Sequence, residues 1–487
     1  MMKLRSAAGA LAITLLCSGC WKVGPDYEKA PVPLSDHWRF QEKDAEDTAN
    51  LSWWELFNDP MLTRLIESGI RSNLDMQIAT ANVETYMGKY GTARGRLFPI
   101  VYGDGNYHWG RKSDSELGLT KVLFPDYPNE ERSARLESFL WWELDVWGML
   151  RRIKEASYAE YEANVAAQKA TILFVVSEIA RNYVKLRTYD KELDITKGII
   201  GTLEDQLRIA KARLDIGHTS MLEYQQVESE YHRRLALIPK VESEIAVTEH
   251  AIKLLLGQMP STVIRGKTLD ELTMPPVPKG LPSDLLERRP DIIEAEQQLI
   301  AATAGIGVAR GEYFPRVTIF SDVGSVASDM ETFATPGANF YGITQRVFGP
   351  IINFGRIAGK VQTAEATERA AFASYQKTIL AAYKQFEDAL IVRRKTGEER
   401  AEQSKRVDAV AEYYRLASLR YDEGYTDFIT VLDSLRQLYD ARYDLAAVQG
   451  LQMQASIDLY LAMGGGWLES TLQSGYIVKP KDAQILP

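Results

Sequence analysis

Residues 172–193 read ILFVVSEIARNYVKLRTYDKEL, and their spacing decides the fold. Ile172, Val176, Ile179, Tyr183, Leu186 and Leu193 recur at alternating intervals of four and three. That is a heptad-like seam, with Asp190 and then Lys197 as polar breaks. Outward from the seam, no proline occurs between Arg151 and Leu214, and only Gly198 and Gly201 interrupt the helix formers. At ~1.5 Å per residue such a helix is roughly 96 Å long, far more than an ordinary globular domain uses. It closes at Arg213-Leu-Asp-Ile-Gly217, and the pattern predicts a second helix from about Ser220 to Leu256.

The same arrangement recurs downstream. Arg420-Tyr-Asp-Glu-Gly424 closes another proline-free run that begins near Ile357. Arg213 and Arg420 are 207 positions apart, as are Gly217 and Gly424, Trp147-Gly148 and Phe354-Gly355, and Leu256-Gly257 and Met463-Gly464. A repeat without a gap across both helices implies that helix length is itself constrained.

The chain has 487 residues, 45% hydrophobic and 25% charged, which is the composition of a folded protein. A net charge of −9 argues against a nucleic-acid partner. Both cysteines, Cys17 and Cys20, lie in the first twenty residues, so the rest of the chain can form neither a disulfide nor a thiolate metal site. Lys3 and Arg5 precede an apolar stretch, Ala7 to Leu16, and then Leu16-Cys-Ser-Gly-Cys20. This reads as an export signal over residues 1–19, too short to span a membrane as a mature helix. Small residues before Cys20 resemble a lipoprotein cleavage site, with Cys20 as the acylated first residue; the other reading is a plain secretory signal with an incidental cysteine. Beyond it no run of eighteen apolar residues is present, so no transmembrane helix is expected.

Residues 20–50, with Pro25, Pro31 and Pro33, read as a strap. The first repeat is assigned to residues 51–257, a proline-rich linker to 258–289, the second repeat to 290–464 and a short tail to 465–487. A helical pattern opens at Ser52-Trp53-Trp54-Glu55 and continues through Ile78 to about Gly95. Phe98–Trp109 and Ser133–Val146 are strand candidates. The second alternates Ala134, Leu136, Leu140, Trp142 and Leu144 against Arg135, Glu137, Glu143 and Asp145, with Phe139 and Trp141 intruding on the polar side. Pro315–Val326 and Phe340–Phe348 repeat them. Phe98-Pro99 and Phe314-Pro315 are 216 apart, so the second hairpin loop is about nine residues shorter.

Strands of about ten residues suit a tilted crossing of an outer membrane. Four of them cannot close a barrel, and open edges cannot sit in lipid, where their backbone groups would be unpaired. The smallest transmembrane barrels have about eight strands, so several copies of this chain must share one.

Val23-Gly-Pro-Asp-Tyr27, Trp53-Trp54…Phe57-Asn-Asp-Pro60, the two Phe-Pro strand starts and the Gly turns at 217 and 424 resemble the TolC-like outer membrane efflux proteins, most of all their lipoprotein branch serving multidrug pumps. The resemblance covers essentially the whole mature chain. It implies an internally duplicated α-helical barrel joined to a transmembrane β-barrel, with four strands per chain shared in a homotrimer. It also implies a lipid-anchored protein of the outer membrane that extends into the periplasm. Such a protein is a passive exit duct for small molecules, handed on by a periplasmic adaptor and an inner-membrane pump. No cofactor, metal or nucleic acid is implied.

By position, the resemblance places the periplasmic gate at Asp433, Thr430, Tyr421 and Glu223. Asp433 falls on one of two family aspartates and Thr430 on the other. Tyr421 and Glu223 fall on a linked pair, Glu replacing Asp, while Thr426 stands where an arginine usually joins. Arg213, Gly217, Arg420 and Gly424 mark the turns that contact the adaptor. The side chains of the two arginines suit capping of helix C-termini better than adaptor contact. Gly305-Ile-Gly307-Val-Ala-Arg-Gly311 lacks dinucleotide-loop spacing, precedes a strand, and fits close helix packing better. No Ser-His-Asp, paired-carboxylate or P-loop set offers a catalytic site. The rival readings are a periplasmic coiled-coil spacer without a pore and a similar duct for protein or metal export.

Overall fold

The long seam becomes one unbroken helix that serves as the hub of the subunit. In the computed structural model, which describes residues 22–29, 52–277 and 284–464, the first repeat opens with a 3-10 turn at Trp53–Phe57, α1 at Pro60–Ser72 and α2 at Leu74–Gly95. Strands β1 (Ile100–Arg111) and β2 (Glu130–Leu144) follow, then α3 (Met149–Asp215), α4 (Met221–Leu235) and α5 (Leu237–Leu255). The second repeat is α6 (Pro290–Gly311), β3 (Arg316–Ala327), β4 (Asn339–Phe348), α7 (Arg356–Asp422) and α8 (Phe428–Ala462). Both α3 and α7 have 67 residues, ~100 Å of helix, and they start 207 positions apart.

Ile172, Val176, Ile179, Tyr183 and Leu186 are fully buried, in a cluster with Trp53, Phe57, Ile66, Ile252 and Tyr460. Val175, Ala180 and Val184 are buried as well, so the helix is covered on more than one stripe here. Leu193, the last seam position, is only half-buried. Residues 258–277 supply Val263, Leu269, Leu272 and Val277 to the buried set, so this stretch packs as a layer against the helices. Asp59 fastens it: its carboxylate accepts from the Tyr183 hydroxyl at 2.6 Å and from the Lys267 amide at 3.0 Å.

Two helices predicted as continuous are divided. The helix read from Ser52 to Gly95 breaks at Asn73, whose extended backbone donates to Gly69 O while its side chain accepts from Met76 N. One asparagine thus ends α1 and caps α2. The helix read from Ser220 to Leu256 breaks at Ala236. Pro239 lacks the N–H that would bond the Leu235 carbonyl and crowds that carbonyl. Its repeat counterpart is Ala446, and α8 runs unbroken through 35 residues. The glycines of 305–311 divide by role: a Cβ on Gly307 would meet Val23 O at 2.5 Å and Arg152, and one on Gly311 would meet Met149, while Gly305 is open.

The four strands form a single antiparallel sheet in the order β1-β2-β3-β4, leaving β1 and β4 as edges. The register sorts the side chains. One face carries Asp104, Arg135, Glu137, Glu143, Arg316, Asp322 and Arg346. The other carries Val101, Trp109, Leu136, Leu140, Ile319, Val323, Ile343 and Val347, its charges Arg111, Glu130 and Arg132 lying only at the loop end. Phe139 and Trp141, which seemed to spoil an alternation, belong to the charged face. At the base of the sheet, Trp142 Nε1 donates to Leu97 O at 3.0 Å and Trp147 Nε1 to Pro315 O at 2.7 Å, so two of the tryptophans pin the Phe-Pro strand starts.

Candidate functional site

Far from the sheet, the chain turns twice in the same way. At the end of α3 the His218 amide donates to Arg213 O at 2.8 Å and the Gly217 amide to Leu214 O at 3.0 Å. At the end of α7 the Tyr425 amide donates to Arg420 O at 2.7 Å and the Gly424 amide to Tyr421 O at 3.0 Å. These are paired Schellman closures, and they require a left-handed residue, which glycine supplies at φ +76° and +79°. Ser220 then caps α4 by accepting from the Glu223 amide at 3.2 Å.

The arginine side chains of the two turns diverge. Arg213 Nη1 donates to the Tyr421 hydroxyl at 2.9 Å, and its guanidinium lies 5.4 Å from that ring's centroid. Arg420 is exposed. Arg213 therefore joins α3 to α7, where capping of its own helix end was one expectation. Tyr421 packs edge-on against Phe428 at 5.4 Å, beside the buried Leu203, Val227, Leu432 and Leu435.

Arg213, Thr219, Glu223, Tyr414, Tyr421 and Phe428 line one cavity of about 230 Å³. Within it Glu223 accepts from the Thr219 hydroxyl. The Tyr421–Glu223 pair is thus brought to one cavity, with Arg213 as the partner of the tyrosine hydroxyl. Thr430 is half-buried and hydrogen-bonds Thr426 at 3.3 Å. Asp433 is exposed, outside the cavity wall, and accepts from Gln437 Nε2 at 2.7 Å. Cys20 lies outside the described residues.

Two anchors escaped the sequence reading. Arg152 is fully buried; it donates to Val23 O at 3.0 Å and Gly24 O at 2.9 Å, and pairs with Asp26 at 3.0 Å. It explains why Val23-Gly-Pro-Asp sits where it does. Near the bend after α4, buried Glu230 pairs with Arg234 at 2.8 Å and with Arg436 of α8 at 2.8 Å, while Arg234 lies 3.7 Å from the Tyr439 ring centroid. The i,i+4 spacing of Glu230 and Arg234 was the available signal. Among the described residues no helix is long and apolar enough to cross a membrane, and no group of three His, Cys, Asp or Glu is placed to hold a metal.

A family model described as outer membrane efflux protein matches residues 65–258 and 281–465, taking in both repeats. The chain is similar to the solvent efflux pump outer membrane protein SrpC of Pseudomonas putida, at 29% identity over 467 residues, covering 93% of this chain and 97% of that one. It is similar to the probable outer membrane lipoprotein SilC of Salmonella typhimurium, at 27% over 479 residues, covering 96% and 100%. Among solved structures it resembles the outer-membrane channel OprN with a TM-score of 0.83 at 26% identity, over 92% of this chain and 99% of that one. It shares the fold of the Neisseria gonorrhoeae MtrE outer membrane channel in its open state, with a TM-score of 0.82 at 24% identity, over 92% and 98%.

Proposed function

This chain belongs to the outer membrane efflux protein family, and from that premise we propose that three copies join their sheets into one twelve-stranded barrel and their helices into one periplasmic tunnel. The observation that carries this is the open four-stranded sheet with a charged face and an apolar face. Lipid leaves no unpaired edge, so β1 and β4 must meet neighbours. The apolar face then meets lipid and the charged face lines water.

The duct does no chemistry of its own; an inner-membrane pump supplies the work and a periplasmic adaptor bridges the gap. The turns at Gly217 and Gly424 are the proposed adaptor contacts. Ile216, Met221, Leu222 and Tyr425, apolar yet exposed, support this, since such residues clustered at a tip suit a protein partner. The names of relatives, which speak of solvents, toluene and antibiotics, support small molecules, drugs or toxic compounds, as cargo. Cys20 is the proposed lipid anchor.

The cavity around Arg213, Glu223 and Tyr421 is proposed to hold the inner end closed by joining the two helix pairs. Three exposed Asp433 carboxylates would form a cation-attracting constriction. Purified full-length protein should run as a heat-resistant trimer and conduct ions in planar bilayers. A soluble monomer, or a trimer without conductance as expected of a coiled-coil spacer, would overturn the proposal. Asp433→Ala should lower cation preference; unchanged selectivity removes Asp433 from the gate.

A further inference from the structure

The charged face of the sheet holds an aromatic group that the duct as such does not need. Tyr102 and Phe139 are Cα partners across β1 and β2, with ring centroids 5.1 Å apart and planes 23° from parallel. Phe320 on β3 is diagonal to Phe139 on the same face, 5.8 Å from it. Trp141 lies beside Phe320 in the next cross-strand row. The rings are open to solvent in the subunit: Tyr102 is 48% exposed, Trp141 41% and Phe320 38%.

These rings are not a lipid belt. They share their face with Arg135, Glu137 and Glu143, and a charge in mid-sheet toward lipid would cost about 2–4 kcal/mol. The face that turns to lipid has aromatics of its own in Tyr107, Trp109 and Tyr341. The carboxylates around the stack are unequally engaged. Arg135 pairs with Glu137 at 2.6 Å, and Arg316 lies 3.8 Å from Glu143. Asp322 is in register with Phe139, and Asp104 is two residues along from Tyr102 on the same face; neither has an ion-pair partner among the described residues.

We propose that Tyr102, Phe139 and Phe320, with Asp104 and Asp322 beside them, form a stacking site for aromatic organic cations on the inner wall of the barrel. Ring faces attract both planar rings and cations, and the free carboxylates select positive charge. An aliphatic solute would gain only the area it covers. The site rests on the duct reading, and three copies would set it around the lumen.

The test uses the full-length trimer in planar bilayers, with benzyltriethylammonium and tetraethylammonium added to the bath. The aromatic cation should block the current at about tenfold lower concentration. Phe139→Leu, which keeps an apolar side chain, should bring the two within about twofold. Tyr102→Leu serves if Phe139→Leu does not assemble. Asp322→Asn should weaken both blockers. A conducting trimer that is blocked alike by the two cations, or a Phe139→Leu channel that keeps the tenfold difference, overturns the site alone. A trimer that does not conduct overturns the duct reading and the site with it.

Discussion

At the residue scale, the two turns show how a repeat can diverge in function while its backbone stays fixed. Gly217 and Gly424 close the same pair of hydrogen bonds, yet only Arg213 reaches across to a tyrosine. The bond is charge-assisted but only half-buried, so solvent screening holds the cost of its loss to about 1 kcal/mol. Arg213→Ala should therefore loosen α3 from α7 near the tip and raise protease cleavage within 213–219 several-fold, with trimer yield unchanged. Ile179 represents the opposite case. It is fully buried, and a Cβ on Gly69 would come within 2.2 Å of its Cδ1. Ile179→Ala should cost about 2–5 kcal/mol and lower the thermal midpoint in detergent, because the surrounding helices cannot close over the gap.

Among the elements, the seam between α3 and α8 carries a titratable tie. Tyr443 donates its hydroxyl to Glu192 Oε2 at 2.8 Å. Burial pushes the Glu192 carboxyl above the ordinary carboxylate value of 4.5, against the pull of the Tyr443 bond, and Glu244 adds to the rise. The folded chain thus holds this proton more tightly than the unfolded one. Its contribution is full below pH 4.5 and fades as pH rises through the elevated folded value. Glu192→Gln should flatten that part of the decline in thermal midpoint between pH 4.5 and neutrality; an unchanged profile would assign the decline to other groups.

For the whole molecule, assembly follows from the sheet. Ile343 points to the apolar face and Thr344 to the charged one, one residue apart on edge strand β4. Ile343→Lys should cost about 2–4 kcal/mol in lipid and deplete the heat-resistant trimer. Thr344→Lys should assemble normally, shifting only ion selectivity. Equal effects of the two would overturn the assignment of faces, and the opposite pattern would reverse it. Residues 22–26 also meet the helices near the sheet: Arg152 at the start of α3 binds Val23, Gly24 and Asp26 just beyond the end of β2.

The duplication, the length of α3 and α7, the four strands and the need for neighbours were legible in residue spacing, because helix period, strand alternation and unpaired edges are local properties of a chain. The family's site positions were legible only by resemblance. Tertiary structure alone decided the rest. Asn73 and Pro239 ended helices whose apolar pattern continued, because caps and missing donors act through backbone geometry that hydrophobic spacing does not record. Tyr421 met Arg213, and Phe139 met Tyr102 and Phe320, because register and helix packing bring together residues up to about two hundred positions apart, a distance over which sequence carries no phase.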